Sequence, residues 1–321
     1  MNDRAGALMH VMAGVLCDAQ GRVLLAQRPS GKHLAGYWEF PGGKLEPGEH
    51  PQRALARELH EELGIHIDAA NGAPLIRVPW RYGERGLLLD AWRFTHWHGN
   101  PVSLEGQALQ WLLPSGIDPA TLAPADRPIL QALRLPSIYA ITPADVTPDQ
   151  AERWQLNLDA ALKRGIRLIQ LRFPLWSAVQ VRTLAACLQG RAVQCDACLL
   201  LNGDIDGARS LGAGIGVHVK SSQLAALTER SLPWTQTVAA SCHDASELEH
   251  AARMGADFAT LSPVASTASH PGAPALGWMR FRDLAEAAAL PVYALGGMTP
   301  EQVNEARNHS GQGVAGIGAF W

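Results

Sequence analysis

The second half of the chain alternates so regularly that few folds can accommodate it. Short apolar runs recur at Ile138–Thr142, Ile166–Arg172, Leu199–Asn202, Gly216–Val219, Val238–Ser241, Phe258–Leu261, Val292–Leu295 and Val314–Ile317. Between them lie stretches with helical periodicity, at 149–164, 178–189, 221–229, 245–254, 278–288 and 300–308. Eight strand-like runs alternating with helices predict a small (β/α)8 barrel. Gly296-Gly297 after the seventh run, and Gly316 and Gly318 around the eighth, fall where such barrels bind phosphate. Little chain follows the eighth run before Trp321, so the barrel is expected to lack its last external helix. The gap would be covered by the first domain, a second chain or a shifted helix.

The first half is organised around Gly43 to Ile65. Gly43 is followed by Glu49, Arg57-Glu58-Leu59, Glu61-Glu62, Gly64 and Ile65. Pro51 suits the first turn of a helix, where its missing N–H costs nothing. Gly64 suits a helix C-terminus. Leu55, Leu59 and Leu63 recur at i+4 and predict a packing stripe. Glu58, Glu61 and Glu62 stand at i, i+3 and i+4, so their carboxylates share the adjoining face. Such a face repels itself unless a cation joins it, and hard Mg2+ or Mn2+ takes carboxylate clusters together with substrate phosphates. A solvated acidic face is the plain alternative, and the Gly-Gly loop with its fixed spacing argues against it.

The 321 residues suffice for two domains. A net charge of −3, without a basic run, excludes a nucleic-acid polymer as the expected partner and favours a small anion held through metal. No signal peptide and no apolar run of transmembrane length is read, so the chain is expected to be cytoplasmic, with no membrane partner. Five scattered cysteines argue against a disulfide framework, and Cys195 and Cys198 read as buried thiols rather than a zinc or redox pair. Val11–Cys17 and Arg22–Gln27 predict a hairpin about Asp18–Gly21. Further strands are expected at Leu75–Tyr82, Leu87–Trp97 and Leu109–Trp111, then a short helix from Pro124 to about Leu133. The boundaries drawn are 1–133, a join at 134–137, and 138–321.

The Gly43–Ile65 pattern resembles the box of the Nudix hydrolases, which cleave nucleoside diphosphates linked to another moiety. Residues 8 to 133 are most similar to the MutT type, the 8-oxo-dGTP diphosphatases. Arg28, the Glu-Phe-Pro-Gly-Gly-Lys at 39 to 44, Glu105-Gly-Gln, Trp111 and the Pro-Ala-x-x-Pro at 124 to 128 carry that likeness. The resemblance implies an α/β/α sandwich with a mixed sheet and a Mg2+-dependent hydrolase of a nucleoside triphosphate, with Mn2+ as the alternative ion. It implies Glu58, Glu61, Glu62 and Glu105 as metal ligands or base, with Gly43 among the ligands and Arg57 orienting Glu49 or another carboxylate. Arg28, Phe40, Lys44 and Arg85 would line the substrate site. The MutT pattern has an Asn that reads the purine edge where this chain has Asp126, which as a carboxylate accepts hydrogen bonds only, unless protonated.

The second half resembles thiamine phosphate synthase and its thiazole-tautomerase relatives, through Gln170-Leu171-Arg172, Leu201-Asn202, Gly216-Val217-His218, Ser241-Cys242-His243, Pro263-Val264 with Thr267, and Ala294-Leu295-Gly296-Gly297-Met298. The departures are pointed. Gly203 and Gln223 stand where the synthases carry metal-binding Asp residues, Pro174 where they carry a Lys, and Thr267-Ala268-Ser269-His270 in place of a Thr-x-Thr-Lys loop. Pro263 replaces a tautomerase His. Neither activity is therefore expected. The barrel is read either as a module holding a phosphate-bearing thiamine precursor at Arg172, Asn202, Thr267, Gly296 and Gly297, or as a scaffold, with an oligomer left open. Its presence also suggests an alternative hydrolase substrate, a thiamine-pathway pyrophosphate.

Overall fold

The computed structural model describes residues 9–267 and 274–321. Two compact units divide the chain, Met1–Arg134 and Leu135–Trp321.

In the first unit the strands are β1 (Met9–Leu16), β2 (Val23–Gln27), β3 (Trp38–Glu39), β4 (Ala73–Tyr82), β5 (Arg85–Phe94) and β6 (Leu109–Leu112). The helices are α1 (Pro51–Leu63) and α2 (Arg127–Arg134). One sheet runs β1-β5-β4, with β1 parallel and β4 antiparallel to β5; the other runs β3-β2-β6 and is antiparallel. Pro51 opens α1, and Gly64 closes it at φ 68°, a left-handed conformation that favours glycine. Leu55, Leu59 and Leu63 are fully buried in a core with Met12, Leu16 and Phe94. Gly14 lets α1 approach β1: a Cβ there would lie 2.9 Å from Leu59 Cδ1.

The hairpin expected about residues 18–21 is corrected. Its turn forms, with Asp18 accepting from the N–H groups of Gln20 and Arg22 at 3.0 and 2.8 Å and Cys17 bridging antiparallel to Val23, but the pairing stops there and β1 and β2 lie in different sheets. Both edges of β1 are taken elsewhere. One pairs with β5; the other bonds the 41–45 loop through Met12 N–H to Gly43 O at 2.8 Å and Gly14 N–H to Pro41 O at 2.7 Å.

The second unit is a closed barrel of eight parallel strands. In chain order it comprises β7 (Ile138–Ile141), α3 (Ala151–Lys163), β8 (Leu168–Leu171), α4 (Ala178–Gln194), β9 (Cys198–Asn202), α5 (Ile205–Leu211), β10 (Ile215–Val219), α6 (Ser221–Leu224), β11 (Val238–Cys242), α7 (Ala245–Arg253), β12 (Phe258–Leu261), α8 (Gly277–Glu286), β13 (Val292–Leu295), α9 (Val303–Asn308) and β14 (Gly313–Gly316). The unforeseen helix α5 has seven residues with Gly207 in the middle, too short to display a helical period, and is started by the Asp204 side chain accepting from Gly207 N–H. The helix expected over 221–229 ends at Leu224, and i→i+3 turns carry the chain onward.

Strand alternation fills the barrel interior. Tyr139, Phe258 and Tyr293 pack edge-on or tilted with centroids 5.1–5.9 Å apart, beside Leu168, Leu200 and Ala239. Towards the C-terminal mouth a polar layer follows. His218 is bonded to Tyr139 Oη at 2.8 Å and Ser241 Oγ at 2.7 Å, and Gln170 Nε2 donates to Asn202 Oδ1 at 3.2 Å. Burial alone pulls the His218 imidazole down to about 3, so it is neutral throughout the physiological range. Beyond β14 the described chain makes one 3-10 turn, Gly318–Phe320, and Trp321 donates its indole N–H to Ile141 O at 2.8 Å. All five cysteines are free; Cys198 is pushed up to about 11 by burial, which makes it an inert thiol.

Candidate active site

The acidic face of α1 meets the Pro41–Lys44 loop, and the two glycines there have separate reasons. Gly42 adopts φ 146°, and a Cβ on it would lie 2.2 Å from Met12 O. Gly43 lies under the Glu58 carboxyl group: its added Cβ would fall 2.1 Å from Glu58 Cδ. Glu62 reaches back to accept from Gly42 N–H at 3.1 Å. Gly42 thus lets the loop pack against the backbone of β1, and Gly43 leaves room for the Glu58 carboxyl group where it lies.

Arg57 lies among the carboxylates. It grips Glu49 with Nε and Nη2, at 3.1 and 3.0 Å, while Nη1 reaches Glu58 at 2.8 Å and Glu61 at 3.2 Å. Nη2 also donates to Lys44 O at 3.2 Å. Hydrogen bonding to Arg57 draws Glu49 below its ordinary range and holds Arg57 firmly charged. Glu62 behaves oppositely. Burial, then the negative charges of Glu105, Glu39 and Glu58, push it up to about 7 against the Gly42 hydrogen bond. Glu105 is exposed, 3.3 Å from Lys32 Nζ, in a segment tied to α1 by Gln107, whose amide donates to Glu62 O at 3.3 Å.

Among the described residues, no three His, Cys, Asp or Glu side chains converge on one point in metal-holding geometry. Arg57 accounts for this, because it draws Glu58 and Glu61 onto its own nitrogens. The donor set nevertheless fits a hard divalent cation. It offers carboxylate oxygens in excess of Arg57, with one acid, Glu62, left without a cation. The Gly43 carbonyl accepts from Met12 N–H and has one lone pair to spare.

Beside the loop lies a cavity of about 550 Å3 lined by Arg28, Glu39, Lys44, Tyr82, Arg85 and Asp126, among others. Arg28 pairs with Glu39 and donates to His33 O at 2.7 Å. Asp126 is buried and accepts from Phe40 N–H at 2.9 Å. Burial, then the charge of Glu39, pushes its carboxyl up to about 8. Tyr82 Oη accepts from Ala125 N–H at 3.2 Å.

The expectation that Phe40 lines this cavity is corrected. Its ring is buried in the core; Glu39 before it faces the cavity, and consecutive residues of extended chain face opposite ways. Glu39 and Tyr82 were the residues missed. The first is an opposite charge within reach of Arg28 on the diagonal of a short antiparallel pair, two places beyond Ala26, which faces Glu39 in the β2–β3 register. Tyr82 had no signal in sequence, because its role depends on the distant 123–126 turn.

In the barrel, Arg172 follows β8, Asn202 ends β9, and Gly296-Gly297 follows β13 at φ 102° and 68°. A Cβ on Gly296 would lie 2.9 Å from Pro263 Cα, so that turn must pack bare against the loop after β12. Thr267 ends the described part of that loop, and Ala268, Ser269 and His270 lie outside the described residues.

An acidic helix seated on a Gly-Gly loop beside a nucleotide-sized cavity, followed in the chain by a parallel (β/α)8 barrel, defines a two-part phosphoanhydride hydrolase. The chain belongs to two families: it matches the NUDIX domain over residues 12–132 and thiamine monophosphate synthase over 138–320. It is 41% identical over 138 residues to the CTP pyrophosphohydrolase of Escherichia coli (strain K12), covering 43% of this chain and 98% of that one. It is 42% identical over 98 residues to the 8-oxo-dGTP diphosphatase of Proteus vulgaris, covering 30% and 86%. The barrel is 32% identical over 164 residues, 50% of this chain, to 77% of the thiamine-phosphate synthase of Laribacter hongkongensis (strain HLHK9). The protein is thus a Nudix hydrolase acting on phosphoric anhydrides, a nucleotide diphosphatase. Among the described residues no helix is long and apolar enough to cross a membrane.

Proposed function

We propose that the first unit is a Mg2+-dependent diphosphatase that converts 8-oxo-dGTP to 8-oxo-dGMP and pyrophosphate. The observation that carries the reading is the cavity whose wall runs from Lys44, beside the acidic helix, to the buried Asp126. Glu58, Glu61, Glu62 and the Gly43 carbonyl are assigned to hold the cation. A Mg2+ ion held by them would supply charge neutralisation at the transferring phosphoryl group. Arg57 keeps Glu49, Glu58 and Glu61 in place, and Glu105, whose charge acts on Glu62, is a carboxylate able to take a proton from the attacking water. Lys44, Arg28 and Arg85 supply positive charge along the cavity. Asp126 Oδ1 is held by Phe40 N–H, which leaves Oδ2 for the base. As a neutral acid it both donates and accepts, like an amide; ionised, it accepts from two donors of an oxidised guanine.

A second reading, hydrolysis of a cytidine triphosphate, is favoured by the relative named for CTP and by the same Asp126, since a cytosine amino group donates to a carboxyl oxygen. Pyrophosphate release measured as kcat/KM for 8-oxo-dGTP, dGTP, CTP and thiamine-pathway pyrophosphates decides between them. Preference for 8-oxo-dGTP over dGTP and CTP supports the first reading. A preference for CTP replaces it with the second, and a preference for a thiamine-pathway pyrophosphate sinks both.

A further inference from the structure

The barrel's resemblance to the synthases implies a divalent cation held by two Asp residues near the ends of β9 and β10. The residues present do not fit one. Gly203 and Gln223 occupy those positions, and both ends of the Gln223 amide are engaged: Oε1 accepts from Lys220 N–H at 3.2 Å, and Nε2 donates to Gly203 O at 2.9 Å. The nearest carboxylate in the chain, Asp204, is gripped by Arg182 with two bonds of 2.6 Å and also starts α5. It is committed to a structural pair.

The space beside Gly203 is filled by a cationic side chain. Gly203 has φ 73°, and a Cβ on it would lie 2.6 Å from Gln223 Oε1, 2.8 Å from Lys220 Cε and 3.2 Å from Lys220 Cδ. The stem of Lys220 thus crosses the place where a side chain at residue 203 would begin. An ammonium carried there repels a divalent ion and attracts a phosphate. Lys220 is exposed and stands immediately after β10, as Arg172 stands immediately after β8, with the end of β9 between them. Alternation points both towards the mouth: Gln170 and His218, two residues earlier in each case, face the interior through their bonds to Asn202, Tyr139 and Ser241. Among the described residues, neither Lys220 nor Arg172 has an ion-pair partner.

We propose that the barrel mouth is a metal-independent anion site, in which Lys220 and Arg172 bind the phosphate group of a small phosphorylated molecule where the synthase relatives would place a divalent cation. The proposal does not depend on which nucleotide the first unit hydrolyses.

Calorimetric titration of the full-length chain with inorganic phosphate, in EDTA, tests it. EDTA removes cation-mediated binding at the acidic helix, and the probe cannot be hydrolysed. Saturable binding is expected, weakened about 10-fold to 100-fold by Lys220→Gln and comparably by Arg172→Gln, as for loss of one charged hydrogen bond. Replacing EDTA by Mg2+ should not tighten the part of the binding that Lys220→Gln removes. Melting curves check that each variant is folded; substitutions after two different strands, at exposed Lys220 and half-buried Arg172, guard against one of them failing to fold. The proposal is overturned if the wild type gives no saturable heat, if both folded variants bind as the wild type does, which would put the anion in the Arg28–Lys44–Arg85 cavity, or if the Lys220-sensitive binding requires Mg2+.

Discussion

Asp126→Asn should make the protein more stable, and by an amount that grows with pH. In the folded chain the Asp126 carboxyl is buried and pushed up to about 8 from an ordinary 3.8. Between those values the folded state holds a proton that the unfolded chain has released. The folded state binds more protons throughout that window, so stability contributed by this group falls as pH rises through it and is fully lost above pH 8. The slope is at most about 1.4 kcal/mol per pH unit, so pH 5 to 8 spans up to about 4 kcal/mol. Asn keeps an oxygen to accept from Phe40 N–H and cannot ionise. Urea unfolding of wild type and variant at pH 5, 6, 7 and 8 isolates the effect, because every other titrating group is common to both. The difference in favour of the variant should widen by kilocalories across the series. Parallel stability profiles would refute the reasoning and mean that Asp126 is ionised at neutral pH, matched by Arg28 or by solvent.

Glu61→Gln and Glu62→Gln should each lower turnover by about 100-fold or more while the circular dichroism spectrum shows both variants folded, and EDTA should abolish turnover reversibly. Near-normal activity in a folded variant would remove these carboxylates from the site. Gly42→Ala should cost more than about 2 kcal/mol of stability, because its methyl group meets the Met12 carbonyl at 2.2 Å, backbone that cannot rotate away; a melting temperature equal to wild type would contradict the fit of loop to β1. His218→Ala should destabilise the barrel by about 2–4 kcal/mol, since it leaves the buried Tyr139 hydroxyl and Ser241 without their shared partner. Equilibrium denaturation reads this directly, and a loss below about 0.5 kcal/mol would mean that water replaces the imidazole without penalty.

What the sequence disclosed and what it hid divide along a physical line. Pro51, the Leu55–Leu59–Leu63 stripe and Gly64 act within a few residues of themselves, so helix start, buried face and end were all readable. The eight barrel runs were readable for a similar reason, since a strand buried on both faces announces itself locally. The partners of β1 were not, because the rival for its free edge is a loop about thirty residues away that bonds through backbone atoms alone. Asp126 looked like a simple departure from an Asn, yet its protonation depends on burial and on Glu39, reached only through the fold. The mouth of the barrel carries the point furthest. Residue by residue, Gly203 and Gln223 register only as missing carboxylates, and a Lys two places after His218 as one more surface charge. The structure makes them a single substitution: the glycine admits the lysine stem, and the glutamine amide stitches the loops that the stem crosses. A mouth in which a lysine stem and a glutamine amide occupy that space is arranged to attract an anion rather than to hold a divalent cation.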